Sequence, residues 1–292
     1  IVALSLIAII ILGSFIIYLF VFYSPKSKRN NIYNLPTGEQ YLPHHERMRK
    51  GIEEFNSLPY ERVSVKSFDG LSLSAKYYHQ KDNVPVIIAF HGYRATAIRD
   101  FSGGQKLWFS NGLNALVVDQ RAMGNSEGNT ITFGIKERRD CLSWINYCID
   151  RFGKDVKIML TGISMGASTI LMANDLNLPK NVKGIIADCP FSSPKQIICK
   201  VCEDMKMPSK FFYPSIYLGA RIFGGFNLNE QSAMGGVKQA KVPILLIHGS
   251  DDRLVPHYMS KQLYDCNPTI VQFHTFEGAG HGISYFADKN RY

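Results

Sequence analysis

Apolar runs of strand length alternate with amphipathic segments of helix length through most of this chain, and this alternation constrains its fold more than any other feature. The first of these runs, residues 84–90, is continuously apolar, as expected of a strand covered on both faces. The runs are residues 84–90, 113–119, 156–160, 182–188, 242–247 and 269–276. Strands that alternate with helices pair in parallel through right-handed crossovers. The sequence therefore predicts an α/β fold with a mostly parallel, doubly wound sheet.

Two alternating runs, 63–68 and 71–78, precede the first buried run and meet at Asp69-Gly70. An Asp-Gly pair between alternating strands predicts an antiparallel hairpin. The segments with helical periodicity are residues 98–110, 134–151, 167–176 and 257–265. A chain of 292 residues, 46% of them hydrophobic, can bury one large core. We expect one catalytic domain over residues 61–292, with a last helix that is short or incomplete.

The alternation breaks between residues 191 and 241, where aromatic and methionine side chains accumulate. These are Met205, Met207, Phe211, Phe212, Tyr213, Tyr217, Phe223 and Phe226. They can be ordinary helix packing, or the apolar underside of a lid that faces the substrate, and both can hold at once. We expect a small helical lid over about residues 192–240.

The first 23 residues, Ile1 to Tyr23, contain no charged side chain. As a helix they would extend roughly 35 Å, enough to cross the core of a bilayer. No small-x-small cleavage site is evident before Ser24-Pro25, which favours an uncleaved anchor over a signal peptide. We therefore expect a single-pass membrane protein, with a secreted, soluble enzyme as the alternative.

The segment 24–60 is polar and contains a short amphipathic stretch, 44–55, so it predicts a tether followed by one helix. Lys26, Lys28 and Arg29 follow the apolar segment directly and favour the cytoplasmic side for the domain. The net charge of +9 is scattered, without a basic stripe interleaved with aromatic residues. That pattern points away from nucleic acid, and the apolar N-terminal segment makes a membrane surface the favoured partner.

Clusters that would hold a metal or cofactor are weak in this sequence. The six cysteines are dispersed, and free thiols are the preferred interpretation. Cys199-x-x-Cys202 lacks a second pair, and His44-His45 are adjacent residues that point in different directions on a helix. We expect no metal and no cofactor.

The strand at 156–160 runs into residues 162–166, Gly-Ile-Ser-Met-Gly, and then into a helical segment. A Gly-x-Ser-x-Gly turn between strand and helix holds its serine in a strained conformation that exposes the hydroxyl. Alone this pentapeptide is a modest signal, because glycine-rich turns are common. It marks Ser164 as a candidate nucleophile.

A serine hydroxyl needs a base to activate it and a carboxylate to orient that base. The chain offers Ser164, Asp252 and His281 in that order, each just after a predicted strand. The carboxyl ends of parallel strands share one edge, so these residues can meet despite their separation. Among the other histidines, His248 lies in a turn, His257 begins a helix and His274 lies inside a strand. Only His281 lies in a glycine-rich loop after the last strand.

The developing oxyanion needs donors that are already aimed at it. We expect these to be the backbone N–H groups of Met165, next to the nucleophile, and Tyr93, in the loop after the 84–90 strand. His91-Gly92 would then shape the backbone, with Gly92 allowing the chain close to the substrate.

Five stretches together resemble the α/β-hydrolase superfamily, in its serine-esterase branch of membrane-tethered bacterial hydrolases and BEM46-like proteins. They are 91–93, 119–128, 162–166, 248–256 and 278–282, within a resemblance that covers about residues 60–285. The resemblance implies that the second acidic residue after His248-Gly249-Ser250 is the triad acid, which is Asp252, with Asp251 as runner-up. Ala122-Met123 stands where the family usually has Gly and His, a departure that removes no catalytic group.

We expect hydrolysis of a carboxylic ester with an acyl or lipid-like group, through an acyl-enzyme on Ser164. Proteins with this fold catalyse many different reactions, so the fold does not identify the substrate. A thioesterase, an acyltransferase or an aminopeptidase-like hydrolase would use the same triad. A catalytically silent, membrane-tethered binding module is the alternative from another class.

Overall fold

The computed structural model describes residues 2–292, with the side chain of Lys28 outside that description, as is Ile1, the first residue of the predicted anchor. Eight strands form one sheet in the order β1-β2-β4-β3-β5-β6-β7-β8. Their bounds are β1 Glu61–Lys66, β2 Ser72–Tyr78, β3 Val86–Phe90, β4 Asn114–Asp119, β5 Ile158–Ile163, β6 Val182–Asp188, β7 Ile244–Gly249 and β8 Val271–Phe276. The strands from β3 to β8 pair in parallel, whereas β1–β2 and β2–β4 are antiparallel. The predicted mostly parallel sheet and its antiparallel N-terminal hairpin are both confirmed.

Eleven α-helices connect and cover these strands within residues 2–292. They are α1 Val2–Val21, α2 His45–Ser57, α3 Ala97–Asp100, α4 Gln105–Ser110, α5 Glu137–Phe152, α6 Met165–Met172, α7 Pro194–Asp204, α8 Ser209–Ile222, α9 Ala233–Gln239, α10 Tyr258–Cys266 and α11 Ser284–Ala287. The helices α7, α8 and α9 occupy the segment predicted as a lid, which stays a prediction.

The single helix predicted over residues 98–110 is wrong, because the structure has two short helices, α3 and α4, separated by Phe101–Gly104. A side chain at Gly103 would collide with the ring of Tyr285, which packs against this break. Glycine permits that close approach and disfavours a continuous helix.

Successive residues of the central strand β3 point to opposite faces of the sheet, as strand geometry requires. Ile88 and Phe90 belong to the hydrophobic core on one face, together with Trp144 of α5. Ile87 and Ala89 belong to the core on the other face, which α2, α3 and α4 cover. Burial on both faces explains why β3 is hydrophobic at every position.

The helix α6 lies directly behind the sheet, and all eight of its residues are buried. It can approach its neighbours because glycines stand at the contacts. A Cβ at Gly166 would collide with the carbonyl oxygen of Phe90 in β3. A Cβ at Gly236 of α9 would collide with the carbonyl oxygen of Leu171 in α6. The nucleophile turn is thus fixed by backbone-to-backbone packing.

The helix α1 is long and apolar enough to cross a membrane, with a mean hydropathy of 2.8 and only 11% of its apolar window buried. Its end is docked on the domain. Phe22 is fully buried, Tyr23 forms a β-bridge with Thr130, and Ser24 N donates to the Asn129 carbonyl at 2.9 Å. Arg29, also buried, donates to the carbonyl oxygens of Ser24, Ser126 and Gly128.

We expect Gly236→Ala to lower the free energy of unfolding by about 1–3 kcal/mol, because the added methyl forces α9 away from α6. Gly104→Ala is the matched control, since no atom lies within 4 Å of its Cβ position and its φ of −77° suits alanine. Denaturant unfolding of the full chain in detergent compares the two. Equal midpoints would show that the α6–α9 contact is not tight.

Candidate active site

Ser164 lies between the end of β5 and the start of α6, with φ 56° and ψ −118°. A positive φ is unfavourable for a residue with a Cβ and persists only where its surroundings impose it. The surroundings here are the tight packing of Gly166 on β3 and a hydrogen bond from Ser164 N to the Asp188 carbonyl, at 2.8 Å. The serine is half-buried at the carboxyl edge of the sheet.

Asp252 and His281 come together at the same edge, from the loops that follow β7 and β8. The Nδ1 of His281 lies 2.7 Å from Oδ2 of Asp252. The other carboxylate oxygen, Oδ1, accepts from the backbone N–H groups of Leu254 and Val255, at 2.9 and 2.8 Å. Both side chains are buried. This bond leaves Nε2 of His281 as the ring nitrogen that does not face the carboxylate.

A second histidine shares the Asp252 carboxylate. The Nε2 of His248 lies 3.2 Å from Asp252 Oδ2 and 2.8 Å from the Val255 carbonyl oxygen. Its Nδ1 lies 2.7 Å from the hydroxyl of Ser260. Both ring nitrogens of His248 are therefore engaged, by Asp252 and Val255 on one side and by Ser260 of α10 on the other.

Burial and charge act in opposite directions on this pair. Burial raises the pKa of Asp252, but His281 and His248 outweigh it and hold that pKa well below its ordinary value. Burial lowers the pKa of His281, and the Asp252 carboxylate outweighs it, so the net shift is upward. Asp252 therefore stays ionised, and His281 binds a proton more readily than a free imidazole.

Cys189 is a neighbour of the site that the sequence analysis treated only as one of six free thiols. It follows β6 with φ 47°, is fully buried, and holds its Sγ 4.0 Å from Nε2 of His281. Burial raises the pKa of this thiol well above its usual range. Its position just after β6, at the same edge of the sheet, is the sequence signal that could have identified it. Within residues 2–292, no hydrogen bond joins the Ser164 hydroxyl to His281.

Cys189, Asp252 and His281 each bring one potential metal-ligand atom to within 4.8 Å of the others. The protein already satisfies most of this donor set. Asp252 accepts two backbone N–H groups and faces two imidazoles, and the thiol stays protonated because of its burial. The three residues thus fit an acid–base pair beside a thiol better than a cation site.

The loop after β3 is held in place from several sides. Gly92 N donates to Oδ2 of Asp100 at 2.7 Å, and the His91 ring contacts the Gly92 carbonyl and the Gln120 N–H through its two nitrogens. In the described chain, the next N–H, that of Tyr93, donates to no protein acceptor. The N–H of Met165 is in the first turn of α6, where a helix offers no partner. Both expected oxyanion donors are therefore available.

Two further groups surround this pair. Asp188 is buried and receives the Tyr292 hydroxyl at 3.3 Å, and its burial raises its pKa to about 6. Tyr41, from the segment before α2, is buried near Cys189 and Asp252, and its neighbour Gln40 occupies the space beside Gly280. Residues preceding α2 therefore cover the loop that carries His281.

The remaining candidates lie outside this cluster. His45 contacts the Pro36 carbonyl and His257 contacts the Thr275 hydroxyl, each at 2.8 Å. Cys199 and Cys202 are free thiols on α7.

Comparison with known proteins supports the class of fold. The serine aminopeptidase S33 family model matches residues 218–285. The Pyrococcus furiosus esterase Pf2001 superposes with a TM-score of 0.63 at 22% identity, covering 82% of this chain and 90% of the esterase. The chain therefore has the fold of the α/β-hydrolases, in agreement with the resemblance carried by its five sequence stretches.

Two relatives extend the comparison. The uncharacterised protein YqkD of Bacillus subtilis is 24% identical over 242 residues, which are 82% of this chain and 79% of YqkD. The lysophosphatidylserine lipase ABHD12 of zebrafish, Danio rerio, is 26% identical over 202 residues. These are 65% of this chain and 50% of the lipase, so the chain matches half of that protein.

We expect Asp252→Asn to lower the free energy of unfolding at pH 7 by roughly 3–5 kcal/mol. The substitution removes the charged carboxylate from the buried pair that Asp252 forms with His281. Asp251→Asn is the matched control, since Asp251 is exposed and adjacent. Denaturant unfolding of both variants measures the difference. A similar loss in both would mean that the Asp252–His281 bond does not stabilise this loop.

Proposed function

We propose that this chain is a serine hydrolase that cleaves carboxylic esters of acyl or lipid-like groups. In the proposed mechanism, Ser164 attacks the carbonyl carbon while His281 takes the hydroxyl proton at Nε2. Asp252 holds the imidazole in the required tautomer and stabilises its charged form. The alcohol leaves with the proton from His281, and a water activated by the same histidine then releases the acid and restores Ser164.

The observation that carries this proposal is the buried hydrogen bond between Asp252 and His281 at the sheet edge where Ser164 lies in its strained turn. The bond directs Nε2 of His281 towards the end of β6, and the Ser164 N–H bonds to the last residue of that strand. The hydroxyl and the imidazole are not hydrogen-bonded, and catalytic hydrogen bonds often tighten only when substrate binds.

Two side chains are candidates for the nucleophile: the thiol of Cys189 and the hydroxyl of Ser164. The thiolate is the reactive form of cysteine, and burial keeps the Cys189 thiol protonated. Ser164 is half-buried, and its Cβ would lie 3.4 Å from a Cβ at Gly92, the residue before Tyr93. The N–H groups of Tyr93 and Met165 donate to no protein acceptor in the described chain. The oxyanion of a tetrahedral intermediate can accept from both. This arrangement favours Ser164.

An apolar substrate group is supported by the surroundings of the helix α1, which we propose to be a retained membrane anchor. The helix α8 packs along it, with the rings of Phe15 and Phe223 4.9 Å apart. Phe211 and Ile222 of α8 remain 68% and 52% exposed. A signal peptide would be removed, whereas Phe22 and Tyr23 are built into the domain. An apolar cap beside an anchor suits a lipid-like ester.

The cytoplasmic orientation stays a prediction, and the structure changes its basis. Arg29, one of the three charges that favoured it, is buried against the carbonyl oxygens of the domain. It serves to dock the segment after α1. Protease protection of the domain in sealed vesicles would test the side directly.

We expect the full chain in detergent to hydrolyse p-nitrophenyl esters and to react with a fluorophosphonate at Ser164. Ser164→Ala should lose at least roughly 10³-fold in kcat and all labelling, because the nucleophile is gone. Cys189→Ser and Asp251→Asn are the matched controls and should retain labelling. A series from acetate to palmitate measures the acyl length that the enzyme prefers.

An active Ser164→Ala together with an inert Cys189→Ser would assign the reaction to the thiol and overturn the proposal. Labelling without ester hydrolysis would direct the search to thioesters and peptides. A folded wild type that neither labels nor hydrolyses would leave the silent binding module as the function.

We expect kcat/KM to rise with pH, with its midpoint above the ordinary histidine value of about 6.5. Neutral His281 is the base, and Asp252 raises the pKa of that imidazole, so the proton leaves only at higher pH. Asp252→Asn should move the midpoint down while lowering the plateau. A pH–rate profile of the two proteins measures this, and an unchanged midpoint would exclude His281 as the titrating base.

A further inference from the structure

The last turn of α1 meets the loop that follows β3. The Arg94 guanidinium donates through Nη2 to the carbonyl oxygens of Phe20 and Tyr23, at 2.7 and 2.9 Å. The Tyr93 hydroxyl donates to the carbonyl oxygen of Val21 at 2.7 Å. Two consecutive residues of one loop thus bind the carbonyl groups of Phe20 and Val21, in the last turn of α1, and that of Tyr23, just after the helix ends.

These carbonyl groups are suited to hold such donors. The last four carbonyls of a helix have no partner within the helix and carry its partial negative charge. A guanidinium there gains both hydrogen bonds and a favourable interaction with the helix dipole. Burial raises the pKa of Tyr93 to about 12, so its hydroxyl remains a donor.

The C-terminal end of α1 is held on the domain by contacts of its own, so it can in turn hold the loop after β3 in position. Ile131 N donates to the Phe22 carbonyl at 2.8 Å, and the hydroxyls of Tyr18 and Thr130 lie 2.8 Å apart. The helix also contacts α8 closely, since a Cβ at Gly219 would lie 2.6 Å from the Ser14 carbonyl oxygen. The segment 130–131 and the helix α8 therefore hold the C-terminal half of α1 on the domain.

The loop needs this support because of its backbone. Arg94 has φ 49°, the left-handed region that disfavours any residue with a Cβ. Immediately before it is Tyr93, whose N–H donates to no protein acceptor in the described chain. Gly92 is held by Asp100 on the other side. The direction of the Tyr93 N–H is thus set between Asp100 and the bonds to α1.

We propose that Arg94 and the Tyr93 hydroxyl are positioning residues, which use the last turn of the apolar helix α1 to aim the Tyr93 N–H at the oxyanion. The inference rests on the proposed serine hydrolase function for its catalytic meaning. The helix that anchors the protein then also completes its active site. Neither side chain is required to touch the substrate.

The test uses the full chain in detergent, four substitutions in the loop and one control substitution elsewhere. Arg94→Ala and Tyr93→Phe each remove the donors to α1, and Arg94→Lys is the conservative variant. Arg94→Gly removes the guanidinium but suits the positive φ, so it remains informative if Arg94→Ala fails to fold. Arg49→Ala, at an exposed arginine of α2, is the matched control.

We expect kcat for a short ester to fall on the order of tenfold in Arg94→Gly, with KM nearly unchanged and fluorophosphonate labelling slowed in parallel. Arg94→Lys should recover part of that loss, and Arg49→Ala should behave as wild type. Amide exchange of residues 92–96 should become faster in Arg94→Gly and in Tyr93→Phe, because the loop is released from α1.

Wild-type kcat and wild-type exchange in both Arg94→Gly and Tyr93→Phe would overturn the proposal. A loss confined to KM would instead place these residues in substrate binding and would also overturn it. If the wild type neither labels nor hydrolyses, the proposed function fails and with it the catalytic role of the loop. The exchange measurement then still decides whether α1 holds the loop.

Discussion

The close contact between α6 and the sheet is the constraint on which the rest of the site depends. Gly166 places the first turn of this helix against the carbonyl group of Phe90, where any side chain would collide. The chain can make that approach only by turning sharply at residue 164, which gives Ser164 its positive φ. The same packing brings the N-terminus of α6 beside the loop after β3. One backbone contact therefore positions both Ser164 and the N–H groups that we propose as oxyanion donors.

On the opposite side of the site, electrostatic interactions with one buried carboxylate hold the side chains in place. A single carboxylate, Asp252, is held by two backbone N–H groups and faces His281 and His248. Such an arrangement keeps the acid ionised inside the protein, where an unpaired carboxylate would be costly. Of these two histidines, His281 has its Nε2 next to Cys189, the residue that follows β6. His248 is engaged on both nitrogens, which separates the two histidines by role despite their shared partner.

Much of this was predictable from sequence because it depends on local patterns. Burial on both faces makes strands such as β3 hydrophobic at every position, and a glycine-rich turn after such a strand indicates a strained serine. The break between α3 and α4 was missed because it depends on Tyr285, which is distant in sequence. Cys189 and Tyr41 were missed as neighbours of His281 for the same reason: three-dimensional contact brings them there. The docking of Arg29 also required the structure, since sequence shows its charge but not its partners.

The burial of the segment after α1 has a mechanical meaning. Phe22, Arg29, Leu35 and Tyr41 are each buried at intervals along the chain that leaves the apolar helix. Because this linker is packed against the domain at such short intervals, it does not let the domain move or rotate freely relative to α1. If α1 crosses a bilayer, the tilt of α1 therefore sets the distance of the sheet from the membrane and the orientation of the sheet relative to it. Bilayer thickness affects the tilt of a transmembrane helix, so it would also affect the orientation of this domain at the membrane.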